Sequence, residues 1–300
     1  LLAPDSLREC AAFGAHNRGV SLMLAPPALD LLLTIGDEDV GLPPSSTALS
    51  TMRVWRVTTG GVSCVRAVRL FATSGHVTPE QRPTCCAASE GGTLIAVGLD
   101  DGAILLLRCS DLERDRVVHF KPIFGDAGHA PREPVTALHF GTTESEVGAQ
   151  LVAEPVLFVL TCGSIRSVVS AGLRAERHST LNETAGCEPG CSCVVADGAN
   201  LVVGRREAIY FYTWDSRGPC FAFDGDKLHL ATLDGHLVVV SSAGGADTGC
   251  VVSVYDLANR LIAYSQPYAG AHARWLLAAP GRATLLLSAN GGCAAAVALE

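Results

Sequence analysis

Four groups of side chains have the types and spacing to be asked about chemistry. Cys187, Cys191 and Cys193, with His178 upstream, offer zinc-type ligands. A structural zinc site needs four ligands in a tetrahedral array, and dedicated sites carry paired Cys-x2–4-Cys. No second pair follows, so this cluster reads as a Cys-containing loop entering a strand at Val194-Val195. Asp37, Glu38 and Asp39 are consecutive, whereas calcium loops space their ligands at alternate positions around a Gly; the run reads as a solvated turn. Asp224, Asp226 and Lys227 could divide acid–base roles only inside a shaped pocket, and here they read as a turn. Nine His and many Ser allow a triad on paper. Neither a Gly-x-Ser-x-Gly elbow nor a Gly-x-x-x-x-Gly-Lys phosphate loop is present. No catalytic, cofactor-binding or metal site is assigned, and the chain reads as a non-enzyme. Trp55, Trp214 and Tyr255 read as packing residues on strands. The sequon Asn182-Glu183-Thr184 reads as unused.

The elements carrying these residues must be mostly buried on both sides. Hydrophobic residues make up 48% of the 300-residue chain and charged residues 17%, against about 25% charged in a typical soluble domain. Strands with two buried faces read as continuous apolar runs, because neither face needs polar side chains for water. The net charge is −8. Binding nucleic acid requires clustered cations, and only pairs such as Arg205-Arg206 occur, so nucleic acid is not expected as a partner. Most of the 12 Cys lie in apolar strings (Cys64, Cys85, Cys86, Cys109, Cys162, Cys220, Cys250, Cys293). Free Cys acts as a small buried hydrophobe, which implies a reducing compartment. No apolar stretch approaches the ~18 residues that span a bilayer as a helix. The chain begins with Leu1, and a fragment is expected.

One unit recurs: an apolar run, a tight Gly-containing turn, another apolar run. It appears at Leu94–Leu107 around Asp101-Gly102, Leu228–Val240 around Asp234-Gly235, Leu285–Leu299 around Asn290-Gly291, and Val156–Ser170 around Cys162-Gly163. Asp-Gly and Asn-Gly suit type I′ hairpin turns, which need positive φ at both central residues. Leu201–Tyr212 and Leu31–Val57 are looser copies. The second is interrupted by a stretch from Asp37 and Glu38 through Pro43, Pro44, Ser45 and Ser46 that reads as a surface loop. The six turns are spaced by about 51 residues on average, close to the ~40–50 of a propeller blade. Third strands follow some hairpins, as in Val251–Ala258 with Leu261–Ser265 and Ile209–Asp215 with Cys220–Phe223. An aromatic, then Asp, then a polar turn matches the Trp-Asp blade signature in degenerate form; no consistent Gly-His partner accompanies it. Helical periodicity is scarce, and the Ala-rich end Gly291–Glu300 reads as strand. Loops are expected at Gly125–Pro134, Gly141–Ala149 and Ser242–Gly249, none marking a domain boundary. The strands LIAVGL, LFVLT, LHLATL and LLLSA are taken as inner strands, too apolar for a catalytic channel. The expected fold is all-β, a seven-bladed-type (WD40-like) β-propeller, incomplete at its N-terminus, with residues 1–300 as a single domain.

Three stretches go further: RGPCFAFDGDKL (Arg217–Leu228), VYDLANRLIAYS (Val254–Ser265) and DLERDR (Asp111–Arg116). In this order they resemble the N-terminal propeller of the vacuolar protein sorting-associated protein 11 family. LTIGDED (Leu33–Asp39) followed by RVWRV, and Gly186–Cys191, resemble it more weakly. The resemblance covers nearly the whole chain. Its most specific pairing is Arg217, Gly218, Pro219, Cys220, Phe221, Ala222 and Phe223 with Tyr255, Asp256, Leu257, Ile262, Ala263, Tyr264 and Ser265, all expected to be structural. The resemblance implies a scaffold and interaction propeller in a subunit of HOPS- and CORVET-type endolysosomal tethering complexes. Its implied partners are other class C tethering subunits, Rab GTPases and SNARE-associated factors. Its implied location is cytoplasmic, peripheral on late endosome and vacuole or lysosome membranes, in vesicle docking and fusion. The family's α-solenoid and RING zinc finger have no counterpart here. A propeller scaffold of another coat or trafficking assembly is the alternative.

Overall fold

The apolar runs pair as their turns require. The structure, a computed structural model, describes residues 12–26, 29–40, 47–58, 60–70, 81–108, 119–123, 133–147, 150–171, 175–195, 198–233, 235–243, 249–279, 282–289 and 294–299. These form six antiparallel sheets. The first is β1 (Gly19–Leu24), β2 (Leu31–Val40), β3 (Thr47–Thr58) and β4 (Gly61–Arg69). The second is β5 (Pro83–Ala88), β6 (Leu94–Leu99), β7 (Ile104–Arg108) and β8 (His119–Ile123). The third is β9 (Val135–Val147), β10 (Gln150–Thr161), β11 (Ile165–Ala171) and β12 (Ala175–Asn182). The fourth is β13 (Ser192–Val194), β14 (Leu201–Gly204), β15 (Ala208–Tyr212) and β16 (Arg217–Ala222). The fifth is β17 (Lys227–Leu233), β18 (His236–Ser242), β19 (Gly249–Asp256) and β20 (Leu261–Ala269). The sixth is β21 (Ala271–Ala279), β22 (Arg282–Ala289) and β23 (Ala294–Leu299). Strands follow one another across every sheet without crossover.

The Asp101-Gly102 turn is not the type I′ turn expected: Arg260 is the one non-Gly residue with positive φ among the described residues, so Asp101 lacks it, and the Leu99 N–H donates to the Ala103 carbonyl across a longer loop, residues 100–102. Between β6 and β7, Gly102 has φ 84, and the Asp101 carboxylate accepts from the Ala103 N–H at 3.0 Å. A residue with a Cβ is disfavoured at such a φ. The Ala-rich end is strand β23, paired with β22.

The chain divides into two compact units, one running through Cys10–Phe140 with Val159–Cys162, the other comprising Gly141–Phe158 and Gly163–Glu300. In the first, Leu33, Ile35, Met52 and Val54 share a core with Ile95, Val97, Leu105 and Leu107 of the second sheet. All six residues of β6 are buried, as a strand covered on both faces should be. In the second unit, Val202, Ile209 and Phe211 of the fourth sheet pack with Leu230, Leu237 and Val239 of the fifth. Neighbouring sheets touch through their first strands, β1 with β5, β13 with β17 and β17 with β21.

The first sheet closes on a polar chain. Trp55 Nε1 donates to Thr34 Oγ1 at 2.8 Å, and Thr34 Oγ1 lies 2.9 Å from His16 Nε2. His16 Nδ1 lies 3.2 Å from Glu38 Oε1. Arg53 meets the same carboxylate at 2.6 Å. Thr34 thus links His16 to Trp55.

Several expectations are corrected. Asp37 and Glu38 are not a solvated turn: both lie in β2, where Asp37 accepts from Ser50 Oγ at 2.9 Å. Their charges are absorbed by partners on β3 and on the chain before β1, which the linear sequence does not display. Gly141–Val147 is the far end of β9 and not a linker, since its Thr, Ser and Val suit an extended strand. Of the four apolar runs taken as inner strands, LHLATL alone is a first strand; LIAVGL, LFVLT and LLLSA belong to the second strands β6, β10 and β22. Cys64, Cys162 and Cys220 are exposed rather than buried, and the nine described cysteines form no disulfide. The loop tips Asp234 and Asn290-Gly291, the Asp111–Arg116 motif, Cys109, Cys293 and most of Gly125–Pro134 lie outside the described residues.

Candidate interaction surface

Motif residues from two separate stretches meet between the fourth and fifth sheets. β15 reads AIYFY, so Ile209 and Phe211 point to one face and Tyr210 and Tyr212 to the other. Register pairs Phe221 of β16 with Ile209, which puts Phe221 on the face of Phe211; their ring centroids are 5.0 Å apart. Tyr255 pairs with Leu237 across β18 and β19 and faces the fourth sheet, where its ring lies 5.3 Å from Phe223. Half-buried Phe221, Phe223, Tyr255 and Leu257 therefore rest on one apolar cluster. Burial pushes the Tyr255 hydroxyl pKa up.

The turn joining β19 to β20 locks this seam. The Asp256 carboxylate accepts from the N–H groups of Ala258 and Asn259 at 2.9 and 3.0 Å and from Asn259 Nδ2 at 2.6 Å. The Asn259 side chain, with these backbone donors, holds the carboxyl pKa below its usual range. Arg260 closes the turn at φ 58, the one non-Gly residue with positive φ among the described residues. Its guanidinium lies over the Phe221 ring, 5.5 Å from the centroid, within cation–π range.

Lys227, read from sequence as part of a turn, is only 7% exposed. Its ammonium donates to the Arg206 carbonyl at 2.8 Å and to the Phe223 carbonyl, and sits over the Phe223 ring. Burial lowers its pKa, opposed by Asp224, Glu207 and Asp226. Asp224 accepts from the Gly225 N–H. Exposed Asp226 lies 3.8 Å from Arg206. The three groups do not converge on a shared pocket: the lysine points inward and the acids outward. Arg205 and Arg217 lie 4.8 and 4.6 Å from the Tyr210 centroid, and Tyr210 donates to Glu207 at 2.7 Å, which lowers the Glu207 pKa. Nothing in the local sequence marks Arg205, Lys227 or Arg260, because each acts on residues brought near by pairing between strands or sheets.

The other motif residues divide by face. Ile262 pairs with Tyr255 and shares its face. Ser265 meets Ser253, their hydroxyls 3.1 Å apart. Ala263 falls at the register shift of β20. Tyr264 pairs with Val254 on the opposite face and donates to Gln266. Arg217 is on the Tyr210 face of its sheet, away from Phe221. Pro219, Cys220 and Ala222 are exposed, and Gly218 is half-buried. Of the zinc-type candidates, Cys187, Cys191 and Cys193 are buried. Burial pushes the Cys191 and Cys193 pKa values up to about 12, and Cys191 Sγ donates to the Lys227 carbonyl at 3.1 Å. His178 is exposed on β12. Trp214 packs under Arg177, and its carbonyl accepts from Ser167. Asn182 folds its side-chain oxygen onto the Thr184 and Ala185 N–H groups.

This arrangement is one half-buried aromatic seam with exposed residues of β16 and β20 outside it. Comparison with known proteins gives it a context. The WD40 β-propeller domain of Doa1 superposes with TM-score 0.56 at 13% identity, over 97% of this chain and 86% of that one. A chain of the mitotic checkpoint complex gives 0.54 at 13% identity, over 89% and 74%. The fold is therefore the expected all-β, WD40-like propeller. The vacuolar protein-sorting-associated protein 11 homolog of Arabidopsis thaliana is 31% identical over 266 residues, 85% of this chain and 26% of its own length. The Dictyostelium discoideum homolog is 28% identical over 298 residues, 86% and 29%, and the Homo sapiens homolog 27% over 281 residues, 87% and 27%. The chain spans little more than a quarter of the length of these relatives. The family model described as PEP5/VPS11 N-terminal matches residues 2–291, and the chain belongs to that family.

Proposed function

We propose that this chain is the scaffold and interaction propeller of an endolysosomal membrane-tethering subunit of the HOPS/CORVET type, acting in vesicle docking and fusion. The observation that carries the reading is the family match over residues 2–291. The WD40-like fold supports a scaffolding role, since stacked sheets hold geometry while outer strands and loops vary. On this reading the chain is not an enzyme, and residues 1–300 act as one propeller domain. Its partners are other class C tethering subunits, with Rab GTPases and SNARE-associated factors reached through the assembled complex. It works from the cytoplasmic face of late endosomes and the vacuole or lysosome, as a peripheral component. No helix among the described residues is long and apolar enough to cross a membrane. The motif residues 217–223 and 255–265 then serve to set the spacing of the fourth and fifth blades.

The test is affinity purification of the tagged full-length gene product from its own cells, with mass spectrometry of what co-purifies. Recovery of class C subunits at comparable abundance is the expected result. Recovery of a different coat or trafficking assembly, or of bait alone, overturns the reading.

A further inference from the structure

The outermost strands of three sheets carry the charge or proline that usually guards an exposed edge: Arg69 on β4, Arg177 on β12, and Arg217 and Pro219 on β16. β20 is different. It is the outermost strand of the fifth sheet, paired on one side by β19. Its first six residues, Leu261–Gln266, contain no charge and no proline; Pro267 guards only the distal end. Leu261, Ile262 and Tyr264 are 65%, 53% and 41% exposed. Exposed apolar side chains on both faces of an open edge form a template for a further strand.

A second observation lies at the head of the same edge. Arg260 occupies a left-handed backbone position that glycine adopts without steric cost. Turn geometry alone favours Gly there, so any gain from an arginine at this position lies in its side chain. That side chain lies over Phe221 and has no carboxylate partner among the described residues. The nearest acid of the turn, Asp256, is already engaged by Asn259 and two backbone N–H groups.

We propose that β20 receives an extended segment of another polypeptide as a fifth strand, with apolar side chains on both of its faces and an acidic residue opposite Arg260. The proposal rests on the scaffold reading above and names the surface through which it acts. The added strand uses the free N–H and C=O groups of Leu261–Ser265, covers Ile262 and Tyr264 on the two faces, and pairs its carboxylate with the guanidinium.

The test uses the full-length protein in its own cells, with a photo-crosslinking amino acid at Ile262 or Tyr264 and sequencing of the crosslinked peptide. The expected product is one peptide from another protein with an Asp or Glu near the Arg260 end. Arg260→Glu lowers its yield at least five-fold, and reversing that acid to Lys in the partner restores it. Arg260→Gly, which fits the turn, also lowers the yield at least five-fold while the melting temperature holds, separating capture from folding. Crosslinks only to lipid, to a second copy of this chain, or to nothing overturn the proposal, as does a yield that Arg260→Glu leaves unchanged. If class C subunits still co-purify in those cases, the tether reading stands and only the β20 assignment falls.

Discussion

Single side chains here act mainly by satisfying groups that burial would otherwise leave bare. Lys227 is the clearest case, since it anchors two carbonyls on the approach to the fifth sheet. Lys227→Ala leaves both carbonyls short of a donor, at a cost of about 1–3 kcal/mol for each buried group left unsatisfied. Urea denaturation should show a lower midpoint with an unchanged slope. Two histidines set a pH dependence. Burial lowers the pKa of His16, with Glu38 opposing and Arg53 assisting; burial pushes His139 down to about 4. The unfolded chain takes up these protons near 6.5, before the folded chain does, so it binds more protons in the window between. Their stabilising contribution is complete above pH 6.5 and is lost as pH falls from there toward 4. The denaturation midpoint should drop between pH 7 and 5.5, before most carboxylates titrate. A midpoint constant or rising over that interval contradicts the burial of both imidazoles.

At the scale of elements, the question is what holds one sheet to the next. Between the fourth and fifth sheets the answer is an aliphatic core with aromatic pairs at its outer margin. A double-mutant cycle on Phe223→Ala and Tyr255→Ala should give a coupling of about 0.5–1.5 kcal/mol, the range for aromatic pairs beyond area burial. Strict additivity would mean that the rings merely neighbour one another. Close backbone approach matters as much in the first unit. A Cβ on Gly98 of β6 would fall 2.7 Å from the Val135 Cβ and 2.8 Å from Cys85 Sγ. Gly98→Ala should therefore destabilise by about 1–3 kcal/mol, as overpacking does, measured by thermal melting. The hairpins themselves were readable in sequence because Asp-Gly and short continuous apolar runs are local signals. Gly98 was not, because its constraint comes from Val135, on another sheet.

For the whole molecule, charge sets what the surface attracts. A net charge of −8, with no run of cations longer than a pair in the sequence, disfavours attraction to anionic bilayers, where each basic residue near the surface adds about 1 kcal/mol. The chain should not co-sediment with phosphatidylserine vesicles at physiological ionic strength; salt-sensitive binding would reveal a basic face. Strand content, turn positions, a blade-like period and family membership were determined by the sequence alone, because each is written in local order: continuous apolar runs, Gly-containing turns, short motifs. Tertiary structure alone decided which residues meet. Glu38 became the partner of a buried histidine instead of a solvated acid, Lys227 an inward anchor instead of a turn residue, and Arg260 a strained lid over a ring of the adjacent sheet. In each case the deciding contact comes from another strand or sheet, and burial fixes the energetic value of a charge or ring only once that neighbour is in place.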